Sequence, residues 1–136
     1  MPQQHVLLPD YNLKEIDKLI ESSRKMLELE KDWDGEGAIP IAESTWQRAV
    51  DFLRGAASTL WRKYNLQLES PTIVPASDGS IDLHWKLSRR ELLINVPSGQ
   101  GQWADYYGDN KQGGNVVKGN LDTAAPNHWL FVWLTE

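Results

Sequence analysis

The chain has 136 residues, carries a net charge of −5 and contains no cysteine. These values suit one domain with a single hydrophobic core, and they exclude a disulfide framework and any thiolate metal site. No run of lysine and arginine exceeds two residues, so nucleic acid is not an expected partner. The N-terminus has no basic start and no long apolar run. We therefore expect a cytoplasmic protein that does not bind membranes.

Two helical patterns occupy the first half of the chain. Within residues 11–31 and 43–64, apolar residues recur at steps of three and four, which gives each segment one apolar stripe. A loop of about ten residues separates them, and this arrangement is typical of two antiparallel helices. We therefore predict a helical hairpin over residues 11–64.

From Pro71 onward the apolar period changes to two, which is the period of a strand. Residues 71–121 contain several such runs separated by turn residues, and they predict an antiparallel meander of four or five strands. Pro75 in the first strand indicates either an edge strand or a bulge. Residues 126–136 fit either a buried strand or a short helix, and the spacing of their tryptophans and leucines favours the helix.

These patterns together predict an α+β fold in a single domain that spans residues 1–136. The helical hairpin is expected to pack on one face of the antiparallel sheet, with the short C-terminal helix beside it.

The segment D-W-D-G-E-G-A-I-P-I-A-E at residues 32–43 has the spacing of an EF-hand calcium loop. Oxygen ligands in such a loop come from positions 1, 3, 5, 7 and 12, with glycine at 6 and an apolar residue at 8. The matching residues are Asp32, Asp34, Glu36, Ala38, Glu43, Gly37 and Ile39.

Other features of the same segment favour a compact structural turn. Glu36 is longer than the usual ligand at its position, Pro40 restricts the residue before it, and Lys31 stands where an aromatic side chain is usual. No second loop of this kind is present, although EF-hands normally work in pairs. We therefore expect neither a metal nor another cofactor here, and a calcium- or magnesium-binding module is retained as the alternative.

Two motifs resemble those of a family of small uncharacterised bacterial proteins. Residues 33–41 read W-D-G-E-G-A-I-P-I, and residues 71–85 read P-T-I-V-P-A-S-D-G-S-I-D-L-H-W. They are similar to the family patterns W-D-G-x-G-A-x-P-I and P-x-x-D-G-S-I-x-L-x-W. The family pattern does not require acids at Asp32 or Glu36, so the resemblance implies a structural turn. It also implies an antidote or accessory role, because members loosely accompany mobile-element, toxin–antitoxin or phage-defence genes.

Aromatic residues in a glycine-rich polar segment form the candidate contact site. The chain has seven tryptophans, and tryptophan and tyrosine are favoured in interface hot spots. We predict that Trp103, Tyr106, Tyr107 and Asp109 bind a partner, which is most simply another protein. The alternative is that Trp103 and Tyr107 form one buried strand face.

No residue pattern indicates catalysis. The three histidines do not lie at metal-ligand spacing, and no G-x-S-x-G nucleophile motif is present. We therefore expect a small non-enzymatic binding protein and assign no catalytic residue. A second alternative is a hydrolase that uses Asp32 and Asp34 with Asp82, in an arrangement that the sequence does not assemble.

Overall fold

The computed structural model describes residues 9–125 and 127–136, and side chains from Leu13 onward within those ranges. The predicted α+β class is confirmed. The elements are α1 (Pro9–Ser23), a 3₁₀ helix (Arg24–Glu28), α2 (Glu43–Tyr64), β1 (Thr72–Pro75), β2 (Ile81–Lys86), β3 (Arg90–Val96), β4 (Ala104–Asn110), β5 (Asn115–Leu121) and α3 (His128–Thr135). The first predicted helix ends earlier than expected. The predicted C-terminal helix is present as α3, and the expected start of that helix at residue 126 lies outside the described residues.

Hydrogen bonds of Ser23 accompany the early end of α1. The Ser23 hydroxyl donates to the carbonyl of Ile20 at 2.6 Å and accepts the indole N–H of Trp46 at 2.8 Å. Serine side chains that bond to nearby backbone carbonyls compete with helical hydrogen bonding. The bond to Trp46 on α2 is a tertiary contact, and it joins the two helices of the hairpin at this point.

The sheet is a five-stranded meander in the order β1-β2-β3-β4-β5, and each neighbouring pair is antiparallel. β1, which ends at Pro75, lies at one edge of the sheet, the first of the two alternatives that Pro75 indicates. A turn at Asp78 and Gly79 joins β1 to β2, and Gly79 has a φ of +87°, which favours glycine. The Asp78 carboxylate accepts hydrogen bonds from the Ser80 hydroxyl and backbone N–H. These bonds hold the pKa of Asp78 below its usual value.

The helices cover one face of the sheet and bury its apolar side chains. α1 contacts β1, α2 contacts β2 and β3, and α3 contacts β3. At the centre, the fully buried Trp85 ring meets Phe131 edge-on at a centroid distance of 5.6 Å, and its indole N–H donates to the Glu69 carbonyl. The other strand residues of this core are Ile81, Leu83, Leu92, Ile94, Val96, Ala104 and Leu121.

Two tryptophans of α3, one helical turn apart, extend the helical layer over β4. Trp129 meets the ring of Tyr106 edge-on at 5.8 Å. Trp133 lies over Gly108, where an added Cβ would be only 2.8 Å from the indole Cη2. The absence of a side chain at Gly108 therefore makes room for α3.

None of the helices in the described residues is long and apolar enough to cross a membrane.

Candidate functional site

The candidate site is the sheet face opposite the helices, called here the open face. Side chains alternate between the two faces of a strand, and the strand register places fourteen side chains on this side. They are all exposed or half-buried. The members are Thr72, Val74, Asp82, His84, Lys86, Glu91, Leu93, Asn95, Asp105, Tyr107, Asp109, Val116, Lys118 and Asn120.

An apolar pair lies at the centre of the open face. Leu93 on β3 and Tyr107 on β4 are register partners, and they are 36% and 49% exposed. Directly opposite side chains on antiparallel strands are close enough to touch, so these two form one apolar surface. With Val74 and Val116, the open face holds four of the eight large hydrophobic side chains that are exposed among the described residues.

The residues predicted to bind a partner do not all lie on one surface. Tyr107 and Asp109 belong to the open face, and Trp103, which directly precedes β4, is 59% exposed. Tyr106 instead lies on the helix-covered face, half-buried against Trp129. Consecutive strand residues point to opposite faces, so Tyr106 does not share a surface with Tyr107 and Asp109. That these residues bind a partner stays a prediction. The alternative that Trp103 and Tyr107 form a buried strand face is wrong, since both are exposed.

Polar side chains around the apolar pair are mostly joined to one another. The imidazole Nε2 of His84 lies 2.6 Å from Oε2 of Glu91, and this hydrogen bond holds the pKa of Glu91 below its usual value. Asn95 donates to the carboxylate of Asp82 at 2.8 Å. The carboxylate of Asp105 similarly accepts a hydrogen bond from the side-chain amide of Asn120 on β5.

Asp109 is the exception among these carboxylates. It is half-buried, and within the described part of the chain its carboxylate has no hydrogen bond or ion pair. Its register partner on β3 is Glu91, which is also acidic. On its other side Glu91 faces Lys86 on β2, and the positive charges of Lys86 and Lys111 act on its carboxylate, so the negative charge of Glu91 is compensated.

The acidic loop at residues 32–43 uses its carboxylates to bind its own backbone. Oδ1 of Asp32 accepts the N–H of Gly37 at 2.6 Å, and Oδ1 of Asp34 accepts the N–H groups of Glu36 and Ala38 at 2.8 and 3.1 Å. The Trp33 indole N–H donates to the Ile39 carbonyl at 3.0 Å. The loop is therefore a compact turn, as the sequence predicts.

The structure does not bring together the acidic residues of either alternative, the calcium- or magnesium-binding module or the hydrolase. The described residues contain no group of three or more histidine, aspartate or glutamate side chains placed to hold a metal ion. The carboxylates of Asp32, Asp34, Glu36 and Glu43 therefore do not converge as an EF-hand requires, and the 3₁₀ helix that precedes the loop ends at Glu28. Likewise, no such group joins Asp32 and Asp34 to Asp82, which is bonded to Asn95 on the open face.

The two sequence segments at residues 33–41 and 71–85 meet in the structure. The backbone N–H of Ile39, in the first motif, donates to the carbonyl of Ser77, in the second, at 2.9 Å. Gly79 lies beside the same residue, since a Cβ added there would be 3.6 Å from Cγ2 of Ile39 and 3.7 Å from the Pro40 carbonyl oxygen. The turn at residues 32–43 thus docks on the turn between β1 and β2.

A cleft of about 570 Å³ lies between the N-terminal half of α2 and the loop after β3. Its charged residues are already engaged. Arg48 donates to the backbone carbonyls of Pro97 and Gln102, and Asp51 accepts a hydrogen bond from Gln47 at 2.9 Å. The cleft therefore presents no free charged group for a ligand among its described lining residues.

Sequence reasoning missed Leu93, and a signal for it was present. The core positions of β3 are Leu92, Ile94 and Val96, so Leu93 is an apolar residue at a position where the strand pattern calls for a polar one. An apolar residue in the polar phase of a strand is a sign of an exposed contact.

Comparison of the chain with family models, curated proteins and solved structures gave no match.

Proposed function

We propose that this protein is a small non-enzymatic module that binds another protein through the open face. The observation that carries the proposal is the exposed Leu93–Tyr107 pair at the centre of a sheet face that none of the helices in residues 9–125 and 127–136 covers. An uncovered antiparallel face normally carries polar side chains. Contiguous apolar side chains with a polar rim mark protein-binding surfaces.

The dimensions of the open face suit an interface. Five strands span roughly 24 Å across the sheet and six residues span roughly 20 Å along it, which gives a face of about 480 Å². One partner contributes about 800 Å² to a standard protein–protein interface. The open face provides more than half of that area, and the exposed Trp103 beside β4 extends it.

The proposal also includes the cellular location and the biological role that the sequence predicts. The protein acts in the cytoplasm, and the family resemblance supports an antidote or accessory component of a bacterial conflict system. No enzymatic step is part of this proposal, because the described residues offer no arrangement of side chains that supports one.

Two adjacent tyrosines provide a matched test. A partner identified by cross-linking and co-purification from the native host is titrated against Tyr107→Ala and Tyr106→Ala. Tyr107→Ala should weaken binding by about 1–2 kcal/mol, as interface aromatics do, and leave the melting temperature unchanged. Tyr106→Ala should lower the melting temperature, because this ring packs on Trp129.

The proposal is wrong if the identified partner binds Tyr107→Ala and Leu93→Ala as tightly as it binds the unaltered protein. Such a result would place the contact on another surface, since both variants remove apolar area from the centre of the open face.

A further inference from the structure

We propose that the outer edge of β5 binds an extended segment of another protein as an added antiparallel strand of the five-stranded sheet. The segment carries an acidic side chain opposite Lys118 and apolar side chains on the helix-covered side of the sheet. Backbone groups make most of this contact, and it is separate from the Leu93–Tyr107 pair. The inference therefore goes beyond the proposed function, and either one can fail without the other.

The hydrogen-bond pattern of the sheet fixes which backbone groups of β5 point outward. In an antiparallel pair, alternate residues direct both N–H and C=O toward the same neighbouring strand. The N–H of Lys111 donates to the carbonyl of Arg89 at 3.1 Å, so the odd-numbered residues of β4 face β3 and its even-numbered residues face β5. By the register of β4 and β5, the backbone groups of Val116, Lys118 and Asn120 point away from the sheet.

These outward groups form a row of three N–H donors and three carbonyl acceptors along the edge. None of them has a hydrogen-bond partner among residues 9–125 and 127–136. β5 runs for seven residues without a proline, and its register with β4 is continuous, so no bulge interrupts it. Such an edge pairs readily with another chain, and several peptide-binding domains recognise extended segments by adding them as a strand.

The opposite edge of the sheet, β1, does not offer such a row. The N–H of Ala76 donates to the carbonyl of Ser80 at 2.8 Å, so the even-numbered residues of β1 face β2 and its odd-numbered residues face outward. Pro75 has no N–H, and neither has Pro71, which precedes β1 at the next outward position. Prolines at such positions protect an edge from pairing. Within β1, Ile73 is therefore the only residue with an outward donor.

Lys118 disfavours a second copy of the chain as the occupant. Two β5 strands related by a twofold axis use all their outward groups only when the two Lys118 side chains lie directly opposite each other. Like charges in that position destabilise the pair, and a shifted register pairs only two of the three outward residues of β5. An acidic side chain of a different protein would instead attract Lys118, which is exposed and forms no ion pair within the described part of the chain.

The helix-covered side of the same edge accounts for the apolar side chains of the segment. Gly119 has no side chain, and a Cβ added there would be 3.0 Å from the hydroxyl oxygen of Tyr106. The Tyr106 ring therefore extends from β4 toward the edge, and Trp129, which packs on this ring, is 53% exposed. A partner side chain opposite Gly119 lies beside these rings, where burial of apolar surface is favourable.

The probe is an acetylated and amidated pentapeptide, Thr-Val-Glu-Val-Thr, used in two singly N-methylated forms. When its glutamate lies opposite Lys118 in an antiparallel pair, the glutamate amide points at β5 and the valine amides point away. Methylation of the glutamate amide therefore removes a hydrogen bond between the strands, whereas methylation of the first valine amide removes none. The two forms have the same composition and charge, so only the strand geometry distinguishes them.

Binding is followed by amide hydrogen exchange of the full chain. The outward amides of Val116, Lys118 and Asn120 should exchange rapidly in the free protein, and the amides of Val117 and Gly119, which face β4, should exchange slowly. The valine-methylated peptide at about 1 mM should slow the outward amides about twofold or more, as half-saturation or better requires. The glutamate-methylated peptide should leave their exchange rates unchanged.

Charge reversal tests the position of the acidic side chain. Lys118→Glu should weaken binding of the valine-methylated glutamate peptide about tenfold. The corresponding Thr-Val-Lys-Val-Thr peptide, methylated at the same valine, should bind this variant more tightly than it binds the unaltered protein. The matched control is Lys18→Glu, which makes the same change of charge at an exposed site on α1 and should leave binding of both peptides unchanged.

Several outcomes would overturn the inference. Equal slowing of the outward amides by the two methylated forms would show that side chains alone make the contact. Slowing with protein concentration alone would assign the edge to a second copy. The inference also fails if neither form slows these amides, or if Lys18→Glu weakens binding as much as Lys118→Glu does. None of these results decides whether the Leu93–Tyr107 pair binds a partner, which Tyr107→Ala and Leu93→Ala test separately.

Discussion

Replacement of Gly108 by alanine should destabilise the protein, although alanine normally favours folding relative to glycine. A Cβ at this position would be 2.8 Å from Cη2 of Trp133 and 2.8 Å from Cγ2 of Val117. Non-bonded carbons prefer a separation of about 3.5–4.0 Å, so both neighbours would have to move by about 0.7–1.2 Å. The indole is held in place, because Arg90 stacks 4.7 Å from the ring and donates to the Trp133 carbonyl.

The magnitude follows from two opposing effects. Inserting a methyl group into a packed site reduces the free energy of unfolding by about 1–3 kcal/mol. Removing the conformational freedom of glycine in a strand restores about 0.5–1 kcal/mol. The difference between these two effects runs from about 0 to 2.5 kcal/mol, so we expect Gly108→Ala to lower the free energy of unfolding by about 1 kcal/mol, because the new methyl group displaces α3 from β4.

Urea denaturation followed by circular dichroism measures this change, and a second glycine provides the control. Gly55 lies inside α2, and apart from its chain neighbours and the adjacent helical backbone no atom is within 4 Å of the Cβ that alanine would add. Gly55→Ala should therefore raise the free energy of unfolding by about 0.5–1 kcal/mol. If Gly108→Ala is as stable as the unaltered protein, the reasoning about the contact between Trp133 and Gly108 is refuted.

Two further predictions concern hydrogen-bonded pairs. The hydrogen bond from His84 makes the pKa of Glu91 lower in the folded protein than in the unfolded chain. The ionised carboxylate therefore stabilises the fold at a pH above the pKa of the unfolded chain. This stabilisation is lost as the pH falls through the lower pKa of the folded protein. Glu91→Gln should flatten the acid side of a stability–pH profile, and an unchanged profile would contradict the pairing. Trp46→Phe removes the indole N–H that donates to the buried Ser23 hydroxyl at 2.8 Å. Thermal unfolding should show that the free energy of unfolding falls by about 1 kcal/mol. A variant as stable as the unaltered protein would argue against that bond.

Much of the fold follows from the period of apolar residues. The change from helical spacing to alternation near Pro71 predicts the order of helices and strands, and the tryptophan spacing in residues 126–136 favours the helix that is present. The end of α1 is not predictable in this way. It coincides with the bond between Ser23 and Trp46, which depends on how the two helices pack.

The candidate site was predictable only in part. Alternation alone implies that Tyr106 and Tyr107 point to opposite faces, but it does not say which one the helices cover. That choice depends on α3, whose Trp129 packs on Tyr106. The exposure of Leu93 likewise depends on all the described helices lying on the other side of the sheet. Both are properties of tertiary arrangement, which local patterns do not contain.

The bond between Ile39 and Ser77 has a consequence for local opening. These residues are far apart in sequence, and the loop that the bond closes contains all of α2 and β1. The amide hydrogen of Ile39 can exchange with solvent only when that bond breaks. Its exchange rate should therefore follow separation of the two turns, even though the Ile39 side chain is 53% exposed. A slow exchange rate at this surface residue would report that the helix–helix connection and the first β-hairpin open as one unit.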